Sequence, residues 1–174
     1  MSKTVTYLHI RAISARATRG VLTFGSLVVP CALGRSGRLV LKREGDGGTP
    51  VGFWLLRRIY YRGDRLIRPL SKIPASPIKG GWGWCETVGD GNYNRRVDLP
   101  YPAAHEDLKR PDHLYDIVVE TSHNQRPRIQ GRGSAIFFHL ARENFAPTAG
   151  CIAVTLKDMQ KVLRHCSART RLVI

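Results

Sequence analysis

Two side chains in this sequence carry the chemistry of an acyl-transfer site: Cys151 and, twelve positions before it, His139. A thiol is a strong nucleophile only once its proton has gone, and an imidazole within hydrogen-bond reach is the usual acceptor of that proton. Gly150 stands directly before the cysteine. A glycine there lets backbone approach a substrate carbonyl closely and leaves amide donors free to face an oxyanion. Thr148 and Ala149 complete the approach, in the run Pro147-Thr148-Ala149-Gly150-Cys151-Ile152-Ala153-Val154. The spacing therefore points to nucleophilic catalysis by Cys151 with His139 as its base. An active site of this kind is expected to hold the thiol below its free pKa of ~8.5, and a disused one to leave it there.

The elements that must position this pair read as mostly β. Alternation in Thr6-Tyr7-Leu8-His9-Ile10-Arg11 predicts a strand over 5–11, followed by strands at 20–24, 27–33 and 38–42. Thr49-Pro50 and Gly52 precede a strand from Phe53 to Tyr61, expected to resume after Gly63-Asp64 at Leu66-Ile67. Residues 69–100, rich in Pro, Gly, Asn and aromatics, predict a long structured loop. Acids early and Lys109-Arg110 late predict a short helix at 102–110. Strands are expected at Ile117–Glu120 and Ser134–Leu140. Thr155-Leu156-Lys157-Asp158 reads as a capping box opening a helix to His165, and Arg171–Ile174 closes the sheet. The sum is a mainly β domain with two or three short helices.

With 174 residues the chain suits one domain, 1–174, and 43% apolar with 24% charged residues is the balance of a folded protein. No run approaches the ~18 apolar residues of a membrane helix. The charge is lopsided: 28 basic against 13 acidic residues give +15. Such an excess favours an anionic partner, and otherwise forms a solvated basic surface. No Lys/Arg-rich block with interleaved aromatics stands out, so nucleic acid is not favoured. The first acid is Glu44, and Arg11, Arg16 and Arg19 before apolar Val21–Leu33 imitate an export signal. Gly25, Ser26 and Pro30 interrupt that run, which reads better as strands of the fold. Of four cysteines, Cys31 and Cys85 lie among apolar residues as small core groups. Cys151, His165 and Cys166 lack the ligand spacing of a zinc site, and no metal is expected.

Further signatures frame the pair. They are Lys42-Arg43-Glu44-Gly45-Asp46-Gly47-Gly48-Thr49-Pro50-Val51-Gly52, then Trp84-Cys85, Asn92-Tyr93-Asn94-Arg95-Arg96-Val97 and Leu99-Pro100-Tyr101-Pro102. With Gly133-Ser134-Ala135-Ile136-Phe137-Phe138-His139 and Pro147–Ile152, the chain resembles the L,D-transpeptidase family with the YkuD catalytic domain, in its compact single-domain branch. The resemblance runs from about Val21 to Leu163. It implies a β-sandwich of mixed sheets acting on peptidoglycan stem peptides without a cofactor, and blocked by carbapenem-type inhibitors. By position Cys151 matches the nucleophile that forms a thioester and His139 the general base and acid, its ring oriented by a backbone carbonyl such as that of Leu140. Amides around Ala149, Gly150 and Cys151 are the implied oxyanion donors. The thioester would pass to an amine in a 3→3 cross-link, to water in L,D-carboxypeptidation, or to a D-amino acid in exchange.

Thr148, Ala149, Arg132, Tyr93, Asn94 and Tyr115 are the candidate substrate contacts, with His105 and His113 as further cleft candidates. His9 and His165 read as structural or surface residues, and His123 as exposed in a polar turn. Ala149 and Ala153 depart from the commoner motif, which has a histidine and an Arg or Asn there. A non-catalytic module binding wall polymer or nucleic acid is the alternative they support. The substrate places the protein in the cell envelope or periplasm, with no clear signal peptide and a cytoplasmic precursor as the other possibility.

Overall fold

Alternate burial organises the chain from its first strand. In the computed structural model, which describes residues 6–174, β1 (Tyr7–Arg11) buries Leu8 and Ile10 and exposes Tyr7, His9 and Arg11. Val5, expected to begin this strand, lies outside the described residues. Then follow β2 (Arg19–Phe24), β3 (Leu27–Ala32), the short pair β4 (Arg38–Leu39) and β5 (Thr49–Pro50), and β6 (Phe53–Tyr61). Next come β7 (Ala75–Pro77), β8 (Trp82–Cys85), β9 (Arg96–Asp98), β10 (His105–Asp107), β11 (Ile117–Thr121), β12 (Phe137–Leu140) and β13 (Ile152–Val154). A helix, α1 (Leu156–Leu163), and β14 (Arg171–Val173) complete the order.

The large sheet runs β11-β12-β13-β3-β2-β1-β14-β6-β7, and β11 also pairs with β6, so the sheet turns back on itself around a core. It is mixed: β1 with β14, β12 with β13 and β6 with β7 are parallel, the other pairs antiparallel. Leu8, Leu22, Leu56, Ile59, Ile117, Phe138, Ile152 and Leu172 fill the interior with Met159 and Val162 of α1. A three-stranded sheet, β10-β8-β9, accompanies a second apolar cluster containing Tyr60, Trp84, Tyr115, Phe137 and Cys151. β12 and β13 serve both clusters, because successive side chains of a strand point to opposite faces. Phe138, Leu140, Ile152 and Val154 face the first, Phe137 and Cys151 the second.

The expected β-sandwich of mixed sheets is the architecture found, with one α-helix among the described residues instead of two or three. The capping box at its start is real: Thr155 Oγ1 accepts from the Asp158 amide at 3.2 Å. The helix expected at 102–110 is not formed. Glu106 pairs with Trp84 across β10 and β8, and Arg110 binds Glu106 at 3.0 Å and Asp112 at 2.7 Å. The charge order that suits a helix dipole serves ion pairs across strand and loop instead. Residues 69–100 hold β7, β8 and β9, so the expected loop is partly sheet. The strand expected at 38–42 ends at Leu39, β6 stops at Tyr61 where Arg62 turns to grip Asp64 at 2.7 Å, and residues 134–136 stay outside β12. Val21–Leu33 forms β2 and β3, paired Val21 to Pro30 and Leu22 to Val29. No helix is long and apolar enough to cross a membrane, among the described residues.

Candidate functional site

Register brings the two reactive side chains together. β12 and β13 run parallel with Phe138 opposite Ile152 and His139 opposite Ala153. Residues at one level of neighbouring strands share a face, so Phe137, His139, Cys151 and Ala153 lie on one side. Diagonal neighbours on such a face are ~7–8 Å apart between backbones, within reach of long side chains. Cys151 and His139 both line a pocket of about 200 Å³, with Tyr115, Ala135, Thr148 and Ala149. Lys42, Glu44, Glu86, Glu106, Arg110 and Arg142 add charges of both signs to it.

His139 is 6% exposed and its Nδ1 lies 2.8 Å from the Leu140 carbonyl, the orienting group expected. A carbonyl only accepts, so Nδ1 carries the proton and Nε2 keeps a lone pair. The Tyr115 ring meets the imidazole edge-on at 5.3 Å, and the Arg110 guanidinium lies 5.2 Å from the centre of that tyrosine. Burial lowers the imidazole pKa to about 4. Cys151, 8% exposed, donates to the Ala135 carbonyl at 3.1 Å and receives the Phe137 amide at 3.3 Å. Burial pushes this thiol up to about 12. The depressed thiol expected of an active site is therefore not found. Desolvation disfavours both ions, so thiol and imidazole rest as a neutral pair, and the resting pKa does not distinguish a used site from a disused one.

The loop before Cys151 is built on close backbone contacts. Gly150 has φ +138°, and a Cβ there would stand 2.8 Å from the Gly48 carbonyl oxygen and 3.2 Å from Ile136. Thr148 Oγ1 donates to the Cys151 carbonyl at 2.7 Å and accepts from the Gly150 amide at 3.1 Å. That amide is thus engaged, and is not the free oxyanion donor expected. Thr148 also ties to the end of β3, its amide to the Leu33 carbonyl at 2.9 Å and its carbonyl to the Arg35 amide at 2.9 Å. Beneath runs the Gly45–Pro50 segment. A Cβ on Gly34 would meet the Gly47 oxygen at 2.3 Å, and the Gly34 amide donates to Thr49 Oγ1 at 2.8 Å. Asp46 pins the segment by accepting from the Gly48 amide at 2.9 Å, the Arg43 amide at 2.6 Å and Lys42 Nζ. Partial burial pushes its carboxyl up, but these donors prevail and its pKa falls below the usual value. The glycine-rich motif props the cysteine loop.

Tyr115, Thr148 and Ala149 line the pocket as expected of substrate contacts; Tyr93, Asn94 and Arg132 do not. Tyr93 is wholly buried, donating to Glu44 and accepting from the Gly133 amide at 3.0 Å. Asn94 Oδ1 accepts from Trp84 Nε1 at 2.9 Å and the Ala135 amide at 3.2 Å, while its Nδ2 donates to the carbonyls of His123 and Asn124. These two residues brace the loop whose Ala135 carbonyl receives the Cys151 proton. Arg132 lines a different recess with Trp54 and His123. His123 is buried, contrary to the exposed position expected, because its Nε2 donates to the Arg132 carbonyl at 3.0 Å and its ring abuts Trp54. His105 donates to the Ala103 carbonyl at 2.7 Å and His113 is 87% exposed beside Asp116; neither lines the pocket. Ala153 is fully buried opposite His139. Among the described residues no group of three or more His, Cys, Asp and Glu gathers for a metal. Glu106 and Arg110 went unrecognised in the sequence because their spacing imitates a helix.

A sequence model of the YkuD L,D-transpeptidase catalytic domain matches residues 14–174. Neither a curated protein nor a solved structure matches the chain.

Proposed function

Because the chain belongs to the L,D-transpeptidase catalytic-domain family, we propose that it is a cysteine acyltransferase working on peptidoglycan stem peptides through a thioester at Cys151. The observation that carries this reading is the placement of thiol and Nε2-bare imidazole on one face at one pocket. His139 Nε2 takes the thiol proton as Sγ bonds to the substrate carbonyl carbon and the carbonyl electron pair moves onto oxygen. With the Gly150 amide engaged, the oxyanion falls to the amides of Cys151 and Ala149; one such donor is worth ~100-fold or more in rate. Collapse breaks the C–N bond, and the departing amine of the terminal residue leaves with the proton from His139. An acceptor amine then attacks the thioester, gives its proton through His139 and releases the thiol. Water or a D-amino acid in the acceptor's place gives carboxypeptidation or exchange from the same intermediate.

The mixed charges of the rim suit a zwitterionic peptide, with Arg110 and Arg142 towards carboxylates and Glu44, Glu86 and Glu106 towards an amine. Burial and the nearby carboxylates of Glu106 and Glu44 raise the Glu86 pKa, so a substrate ammonium there would relieve an existing strain. A substrate of this kind places the work in the cell envelope.

Intact-protein mass spectrometry after incubation with tetrapeptide stems tests the reading. The expected result is an acyl adduct on the native protein and on carbapenem treatment, and none in Cys151→Ala, whose circular dichroism stays native. Turnover by Cys151→Ala at the native rate refutes it. A second reading, a binding module that has lost chemistry, is favoured by the engaged Gly150 amide; it predicts stem binding without any adduct.

A further inference from the structure

A second recess, sharing no lining residue with the Cys151 pocket, collects arginines from three parts of the fold. Arg57 comes from β6, Arg95 and Arg96 from the start of β9, and Arg126 and Arg128 from the loop after β11. Tyr60, Trp84 and Glu120 are also in its wall, and its volume is about 230 Å³. Five guanidinium groups against the one carboxylate of Glu120 leave a local charge of four positive units. That carboxylate is already occupied: Oε2 accepts from Tyr60 at 3.2 Å and Oε1 from Gln125 at 2.7 Å.

Three arginines elsewhere are held in ion pairs. Arg62 holds Asp64 and Arg65 holds Asp116, each at 2.7 Å, and Arg110 holds both Glu106 and Asp112. In the recess, among the described residues, the guanidinium groups of Arg57, Arg95, Arg126 and Arg128 make no hydrogen bond or ion pair. Arg96 lies over the Trp82 ring at 4.1 Å. Arg128 Nε is buried without a partner. Desolvation, followed by the nearby Arg95 charge, lowers the Arg128 pKa. Arg57, Arg95, Arg96 and Arg126 are exposed, so water solvates their donors, and the recess's one buried, unpartnered donor is Arg128 Nε. Like charges gathered at one recess raise the local positive potential and attract a multivalent anion.

We propose that this recess is a binding site for a phosphoryl group carrying two or more negative charges, as in a diphosphate or a phosphate monoester. A lone carboxylate offers one charge and two oxygens. A diphosphate offers several of each, and arginine forks match its terminal oxygens in pairs. The recess is smaller than a typical drug-sized pocket, which fits an anionic head with the rest of its molecule outside.

The test is calorimetric titration of the full chain with pyrophosphate. Arg95→Gln/Arg128→Gln is compared with Lys157→Gln/Arg164→Gln, which removes the same two charges at α1. The recess variant should lose affinity about tenfold or more, the loss of one to two charged hydrogen bonds, while the α1 variant stays within about twofold of the parent. Arg95 is exposed, so Arg95→Gln alone should fold and show part of the loss. Equal losses in both double variants, glutarate binding as tightly as pyrophosphate, or no pyrophosphate binding overturns the proposal. ADP binding that depends on Arg95 and Arg128 assigns the phosphoryl group to a soluble ester. Co-sedimentation with phosphatidic acid vesicles showing the same dependence assigns it to a lipid head. All these readouts are independent of acyl transfer, so they fail or succeed separately from the chemistry at Cys151.

Discussion

At Cys151 and His139 burial acts on acid and base in opposite directions, and both lose charge by it. The imidazole sits at about 4 and the thiol at about 12, so across the neutral range the proton stays on sulfur while Nε2 remains ready to receive it. Nucleophilicity then appears only when a carbonyl is in place to accept the sulfur's electrons. A small alkylating agent makes none of the substrate's contacts in the pocket and reacts with whatever thiolate is already present. At pH 8 the thiolate fraction at this pKa is roughly a thousandfold below that of a free cysteine. We therefore expect native protein to resist iodoacetamide by about that factor relative to urea-unfolded protein, while still forming the stem-peptide adduct. Rapid alkylation of native Cys151 near neutrality contradicts the neutral pair. The orienting carbonyl of Leu140 was expected from the family resemblance; the effect of burial was not legible, since Tyr115 and Trp84 are brought in from distant segments.

The elements around the pair differ in how plainly they could be read. β6 follows its apolar pattern from Phe53 to Tyr61, and α1 follows its capping box, since both signals are local. The 102–110 segment has helical charge order, but pairing with β8 and the Arg110 ion pairs override it. Tyr93 and Asn94 looked like cleft residues from their polar, aromatic surroundings. Their actual partners, Glu44, Gly133 and Ala135, lie about 40 or more residues away and left no mark in the local pattern. Asn94 alone ties β8, the Ala135 amide and two loop carbonyls. Asn94→Ala should cost about 3 kcal/mol, from buried groups left without partners, and should lower the acylation rate more than stem affinity. Urea unfolding and single-turnover kinetics measure both. A loss below ~0.5 kcal/mol would assign Asn94 no bracing role.

For the whole molecule, two buried histidines tie stability to pH. Burial depresses both His123 and His139 to about 4, against 6.5 when free. Between these values the unfolded chain binds more protons than the folded one, so stability falls as pH drops from about 6.5 to about 4; the histidines' share levels off below, where carboxyls held low in the fold, such as Asp46, take over the decline. Urea midpoints measured across that window should decline in the parent and decline less in His139→Gln; an unchanged slope argues against a buried neutral imidazole. The mainly β architecture itself was legible from alternation and turns, whereas the self-closing order of its strands was not, because pairing partners such as β6 and β11 lie far apart in sequence. One part of that order has a practical cost. β14 is flanked by β1 and β6, well inside the sheet. Clipping residues 171–174 would open a seam down the middle of the sheet, not shorten its border. Two raw strand edges would face each other across the gap, free to stitch onto neighbouring copies, so a cut that releases β14 would turn this protein into an aggregate and not a slightly weakened fold.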